Sequence, residues 1–346
     1  MIELTPETSV GYLQHRGWLR PDVAARVEAL AWGVSNVVFR VTPETGEPFI
    51  LKQSRQQLRT RDPWFSRLDR IWREAQVMRV VEPILPPGTV PRVLYEDREN
   101  YLFLMEAAPA DHVVWKQSLL EGQVEAWVAR FLGACLAALH RQTAGQESLR
   151  EQFGDTEVFV QLRVDPFYRK VAAACPQTKD SLDRITADML ERPICLVHAD
   201  FSPKNVLLAG SRVVLVDFET GHYGDPAFDL GFFLSHLLLK AILHRAQFGR
   251  FAELTRVFWE AYRAGFAPPV PHPAFAPQTL VLRMIPHLAG CMWARIDGTS
   301  KIDYLPHPED QQLVRDFCLR LFQDPPNHWE AVLSRLQAGL SGIPAE

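Results

Sequence analysis

The chain has 346 residues, 47% hydrophobic and 23% charged, an ordinary balance for two lobes or one large domain with a sizeable core. Lys and Arg number 37 against 41 Asp and Glu, so the net charge of −4 offers no basic field for nucleic acid or an anionic membrane. Five scattered cysteines without a C-x-x-C pair argue against a disulfide framework or zinc site and for a reducing, cytoplasmic setting. The opening residues Met1 to Glu7 carry neither a basic nor an apolar segment, so no secretory signal is expected. The longest apolar stretch, Gly231 to Leu243, is interrupted by His236 and Lys240 and falls short of a membrane span.

In chain order, Val37 to Val41 and Phe49 to Lys52 are short β-branched or aromatic runs around a Pro- and Gly-containing turn, which predicts a hairpin. Helical spacing follows from Trp64 to Val80, and Tyr101 to Met105 returns to strand. Beyond Pro109 helices dominate. Val124, Trp127, Val128, Phe131, Leu132, Cys135, Leu136 and Leu139 recur at three- and four-residue spacing, one apolar helix face. By spacing, Trp115, Trp127 and Trp293 are expected in the core. Five prolines between Pro268 and Pro277 read as a loop inside the larger lobe. The simplest organisation is a small β-rich lobe, residues 1–107, followed by a larger α-rich lobe, residues 108–346.

The chemistry concentrates between Cys195 and Glu219. Val206 to Ala209 and Arg212 to Val216 flank Gly210-Ser211, a strong hairpin signal. Pairing 209 with 212 sets Asn205 opposite Val216 and Lys204 opposite Asp217, so the oxygens of Asn205 and Asp217 emerge at the hairpin's open end. Glu219 shares the side of Asp217, and Asp200 lies on the loop leading in. Carboxylates so close repel one another unless a hard cation compensates them. Magnesium on Asn205, Asp217 and Glu219 leaves Asp200 free to accept a proton from an incoming hydroxyl, the division of labour of phosphoryl transfer.

The spacing H-x-D-x-x-x-x-N followed by D-x-E resembles the catalytic segment of the aminoglycoside phosphotransferase/choline kinase superfamily. The resemblance implies an α+β, protein-kinase-like bilobal fold with ATP in the cleft. It implies Asp200 as catalytic base, Asn205 and Asp217 as magnesium ligands, and His198 as a buried support of the loop. Lys52, closing the run Phe-Ile-Leu-Lys, matches the phosphate-binding lysine, and Glu74 its helical partner. The loop Trp32-Gly33-Val34-Ser35-Asn36 stands where a glycine-rich loop would hold phosphate, with Gly33, Ser35 and Asn36 as contacts. Met105, Glu106 and Ala107 stand at the linker, whose backbone would recognise adenine. Asp225 and Pro226 read as the cap and first residue of a helix. By the same resemblance Asp229 steadies the catalytic loop through backbone hydrogen bonds.

Asn36 to Gln53, Leu68 to Glu74 and Val90 to Tyr95 are similar to methylthioribose kinases. Those enzymes carry H-G-D-L-H-T-G-S where this chain has His198 to Asn205, and twin arginines where it has Pro286 and His287. The expected acceptor is therefore a small hydroxyl compound more broadly: a sugar, an aminoglycoside or an amino alcohol. Arg295 and Asp297, in a polar Gly-containing stretch, and His222 and Tyr223, just past D-x-E, are the acceptor-site candidates. The 12 residues from Asp217 to Asp229 leave little room for the activation segment of a protein kinase. The alternative function is a nucleotide-binding regulatory protein with lapsed catalysis, against which the intact set Lys52, Asp200, Asn205 and Asp217 weighs.

Overall fold

The computed structural model describes residues 2–30, 36–58, 64–266, 270 and 272–341. The chain divides into two units, Met1–His112 with Leu207–Thr220, and Val113–Val206 with Gly221–Glu346. The sequence placed a single boundary after residue 107; the structure groups the stretch 207–220 with the first unit as well. A hydrogen bond from the Leu215 N–H to the Thr89 carbonyl, 2.7 Å, ties that stretch into it.

The first unit contains α1 (Pro6–His15), β1 (Ala25–Ala29), β2 (Asn36–Pro43), β3 (Phe49–Ser54), α2 (Arg70–Val81), β4 (Val93–Asp97) and β5 (Leu102–Glu106). Its five strands pair antiparallel in the order β1-β2-β3-β5-β4. The expected hairpin forms with Val38 opposite Lys52, and Lys52 in turn lies opposite Phe103 of β5. Val41, Leu51 and Leu102 are fully buried in the core beneath the sheet, each such side chain contributing about 1.5–3 kcal/mol. The helix expected from Trp64 begins only at Arg70. Trp64 and Phe65 pair in extended form instead, the Leu58 N–H donating to the Trp64 carbonyl at 2.8 Å and Gln57 bridging Phe65. The second predicted hairpin is present as strands Val206–Ala209 and Arg212–Leu215, with Gly210 at φ 58°, the left-handed turn conformation glycine tolerates best.

The second unit is mainly helical: α3 (Trp115–Leu120), α4 (Ala126–Thr143), α5 (Glu147–Phe153), α6 (Glu157–Phe159), a π-helix over Val160–Arg169, α7 (Lys170–Ala174), α8 (Lys179–Leu190), α9 (Pro226–Leu243), α10 (Phe248–Ala264), α11 (Pro277–Asp297), α12 (Pro308–Gln323) and α13 (Trp329–Leu340). Asp225 caps α9 as expected, accepting the Ala227 N–H at 2.9 Å, with Pro226 at the first position. The apolar run read from Gly231 belongs to this longer helix, whose 18 residues are long and apolar enough to cross a membrane. Within the second unit 94% of that length is buried, so the helix serves as core. Packing of α9 on α11 is close enough that a Cβ at Gly231 would stand 2.6 Å from the Leu288 nitrogen. Trp115 and Trp293 are buried as expected, but Trp127 is exposed: it lies on the outer side of α4, while Val128, Leu132 and Leu136 face inward.

Candidate active site

The first unit builds a buried charge network around β3 and α2. The Lys52 ammonium donates to Glu74 at 2.7 Å and to Asp217 at 2.9 Å. Burial alone would lower the lysine's pKa, but the carboxylates of Asp217, Glu74 and Glu219 outweigh it and hold the ammonium charged. Burial pushes the Glu74 carboxyl upward, opposed by Lys52. Glu219 accepts from Asn36 Nδ2 at 2.8 Å and from Arg70 Nε at 3.3 Å.

Arg70 is almost wholly buried and also donates to the carbonyls of Arg55, Arg67 and Ser66 at 2.7, 2.6 and 3.3 Å. It thereby stitches the start of α2 to the D-x-E segment. Asn36, expected among the phosphate contacts, is instead engaged by Glu219 and Arg70, the latter reaching its Oδ1 at 3.3 Å. Gly33 and Ser35 lie outside the described residues. At the expected linker, Met105 is buried and the Glu106 N–H donates to the Arg92 carbonyl at 3.0 Å. The Glu106 carboxylate pairs with the Arg92 guanidinium at 2.5 Å, and Ala107 follows at the end of β5.

Oxygens of Glu74, Asp217 and Glu219 lie within 4.8 Å of one another. A hard, all-oxygen donor set of this kind fits magnesium or calcium better than a softer metal. Two cations, Lys52 and Arg70, face these three carboxylates.

The second unit builds the catalytic loop. Asp229, fully buried on α9, accepts the backbone N–H groups of His198 and Ala199 at 2.8 and 2.7 Å, and His140 Nε2 lies 3.1 Å away. Burial would raise its pKa; the hydrogen bond and charge of His140 reverse that and hold it below the usual carboxylate range. His198 is buried, its Nδ1 accepting the Asp200 N–H at 3.2 Å. The Asp200 carboxylate meets Arg163 at 2.6 Å, Lys204 at 2.7 Å and Asn205 Nδ2 at 2.8 Å. Asn205 Nδ2 also reaches the Asp200 carbonyl at 2.9 Å. Arg163 comes from the π-helix, an unusual winding that is frequent at functional sites, and also donates to the Ala199 carbonyl at 2.9 Å. Sequence reasoning singled out neither Arg163 nor Arg70: both are arginines in amphipathic stretches, with no motif to mark them.

Among the acceptor candidates, His222 and Tyr223 form a strand paired with Cys195–Val197 and are buried. His222 packs on Phe159 at 4.3 Å, and the Tyr223 hydroxyl donates to the Thr143 carbonyl at 3.1 Å. Asp297 accepts Arg315 at 2.8 and 2.9 Å and Trp293 Nε1 at 2.9 Å, joining α11 to α12. These three residues are accounted for by structure. Arg295 differs: it bonds Ser300 at 2.8 Å and is close enough to Asp200 to feel its charge.

Residues 26–273 match the model of the phosphotransferase enzyme family. A methylthioribose kinase of Pectobacterium carotovorum is 26% identical over 300 residues, 76% of this chain and 74% of that protein. Among solved structures, an amicoumacin kinase in complex with AMP-PNP and calcium aligns with TM-score 0.55 at 15% identity, covering 94% of this chain and 97% of that one. A choline/ethanolamine kinase family protein of Mesorhizobium loti aligns with TM-score 0.51 at 16% identity, covering 97% and 99%. These likenesses give the kinase-like α+β fold expected from the sequence. With the family model covering most of its length, the chain belongs to the phosphotransferase enzyme family.

Proposed function

We propose that this phosphotransferase moves the γ-phosphoryl group of ATP to a hydroxyl of a small molecule, in a reaction dependent on magnesium. The observation that carries the reading is Asp200: a buried carboxylate on a loop fixed by Asp229 and oriented by Arg163, Lys204 and Asn205. The acceptor hydroxyl gives its proton to Asp200 as its oxygen attacks phosphorus. The bond from phosphorus to the bridging oxygen breaks, and ADP leaves. Lys52, held by Glu74, binds the donor's phosphates, and Glu74 keeps the ammonium in place.

Asp217 and Glu219 are the metal-directed carboxylates, and the sequence pattern assigns the Asn205 amide oxygen the same role. The Asn205 Nδ2 is already committed to Asp200, and Arg70 with Asn36 fixes Glu219. Bound magnesium supplies charge neutralisation on the phosphate oxygens. The kinase named for the first relative acts on methylthioribose, and the fold neighbour holds an ATP analogue and a divalent ion; both agree with a small acceptor and a nucleotide donor.

The test is ATP turnover with and without magnesium over a panel of sugars, sugar acids, aminoglycosides and amino alcohols. Asp200→Asn should lose about 10²–10⁴ in rate, the range for a general base, while retaining ATP binding. Equal turnover by variant and wild type would remove Asp200 from the chemistry.

A further inference from the structure

Helix α9 carries three ionisable side chains along its buried length, Asp229, His236 and Lys240. His236 and Lys240 are four residues apart and share a face. Lys240 is 1% exposed, yet among the described residues its ammonium donates only to the His236 carbonyl at 3.1 Å, and it lies 5.2 Å from the Tyr304 ring. Lys116 of α3 and Arg295 of α11, both cations, lie close enough to repel it. A buried ammonium without a carboxylate is costly, and structures keep one only with a compensating role.

The cluster runs on to the catalytic carboxylate through shared aromatic rings. Phe167 lies under two guanidinium groups, Arg163 at 5.8 Å and Arg295 at 5.9 Å. Phe232 packs against Arg163 at 5.6 Å and His236 at 4.9 Å. Arg163 in turn holds Asp200 at 2.6 Å, and Lys204 joins from the other carboxylate oxygen. Among the described residues, Arg163 and Lys204 contact Asp200 directly, and Lys116, Arg295 and Lys240 lie close enough to act on one another's charge. Asp200 and the exposed Asp303 are the carboxylates that act on this group of five cations.

A second, independent observation is a set of buried donors here that form no hydrogen bond among the described residues: His236 Nε2, Arg295 Nε, Tyr304 Oη and Ser202 Oγ. Beside them stands one acceptor in the same state, Asp200 Oδ1, which Arg163 faces as an ion pair. His236 itself is only 7% exposed. The four donors outnumber that acceptor, and buried donors are ordinarily satisfied. Together with the cation excess, they describe a binding site for negative charge beside the base.

We infer that the acceptor is an anionic hydroxy compound, its carboxylate or phosphate held by Arg295, Lys240 and Lys116 while its hydroxyl faces Asp200. The inference rests on the phosphotransferase reading and narrows it: a sugar acid or hydroxy acid fits, whereas an aminoglycoside or amino alcohol would bring positive charge among five cations. Arg295, among the sequence candidates, thereby becomes a specificity-determining residue.

Calorimetric titration with magnesium and a non-hydrolysable ATP analogue present tests this directly. Gluconate is compared with glucose, glycerate with glycerol, and glycerol 3-phosphate separates phosphate from carboxylate recognition; kanamycin supplies the cationic arm. The acids should bind about 10-fold or more tighter than their neutral partners, with affinity falling as salt rises. Lys240→Met and Arg295→Gln should erase that preference while leaving affinity for the analogue unchanged. Lys116→Gln, at a half-buried helical position, gives the same readout without touching the core.

Equal binding of glucose and gluconate, or tighter binding of kanamycin, overturns the inference. Phosphorylation of neutral acceptors with no response to acids also overturns it, and leaves the phosphotransferase reading standing. Selective acid binding without phosphorylation of any acceptor upholds the anion site and removes the reading on which its role as acceptor rests.

Discussion

In the first unit, Lys52 and Arg70 face Glu74, Asp217 and Glu219; in the second, Arg163, Lys204, Lys116, Arg295 and Lys240 face Asp200 and Asp303. Each network centres on a buried residue read as chemical, Lys52 in one and Asp200 in the other, but their balances have opposite sign. In the first, each cation has a carboxylate within 3.3 Å, and the named carboxylates outnumber the named cations. In the second, Lys240 has no carboxylate partner among the described residues, and the named cations outnumber the named carboxylates. Burial makes the imbalance costly in either direction, so its sign points to the ligand each network awaits: a divalent cation with phosphates in one, an anionic acceptor in the other.

The comparison breaks if removing a lysine has the same effect in both places. Lys52→Met should destabilise the protein by about 3–5 kcal/mol at pH 8, because it leaves Glu74 buried without its cation. Glu74 already has its pKa raised by burial, so its charged form is the strained one. The raised pKa means that the penalty is full above the folded value and disappears as the carboxyl takes up a proton. The loss in the variant should therefore shrink as pH falls from 8 toward 5. Urea unfolding of both proteins at several pH values measures this, and a loss that does not change with pH would show that Lys52 does not compensate Glu74.

Lys240→Met should act in the opposite direction, stabilising by about 2–4 kcal/mol at pH 7, since methionine fills a similar volume without charge. Burial, with Lys116 and Arg295 adding to it, holds the Lys240 pKa down to about 7. Below that value the folded and unfolded chains both keep the proton, and the cost of burying it is complete. Between about 7 and 10 only the unfolded chain keeps it, so wild type regains stability as pH rises. The advantage of the variant should accordingly diminish between pH 7 and 9 in the same unfolding measurements. A variant less stable than wild type at pH 7 would mean that the ammonium is compensated after all.

How much of this was legible in the sequence follows from what local pattern can carry. The Lys52–Glu74 pair and the Asp229 brace were legible through the family resemblance, and the Asp225 cap from the Asp-Pro pair that opens the helix. The hairpin at Gly210 was legible from two turn residues between apolar runs. The late start of α2 was not, because Trp64 and Phe65 pair with a segment whose position depends on the tertiary fold. Arg70 and Arg163 were hidden for the same reason: nothing local separates a buried arginine that holds a carboxylate from a solvated one. His222, Tyr223 and Asp297 looked polar and accessible in sequence, yet strand pairing and the Arg315 bridge account for them. The cationic pocket did leave a trace. His236 and Lys240 interrupt the most apolar stretch of the chain four residues apart, and ionisable groups at that spacing on a core helix needed an explanation.

The smallest expected effect sharpens the contrast on the catalytic loop itself. Ala199 has φ 58°, the left-handed conformation, which costs a residue with a Cβ about 1–2 kcal/mol. Its N–H donates to Asp229 and its carbonyl accepts from Arg163, so both backbone groups are held and the loop cannot relax. Glycine would relieve that strain but would bring extra freedom to the unfolded chain, a loss of about 0.4–1 kcal/mol. Ala199→Gly should thus change stability by about 0.5 kcal/mol in the favourable direction. The consequence for chemistry is more informative. If Asp229 and Arg163 alone position Asp200, turnover should stay within about 2-fold of wild type, since the hydrogen bonds persist. If the methyl group also limits where the Asp200 carboxylate can move, kcat should fall while the KM for ATP stays constant. Steady-state kinetics on the variant separates a loop fixed by its hydrogen bonds from one fixed by strain.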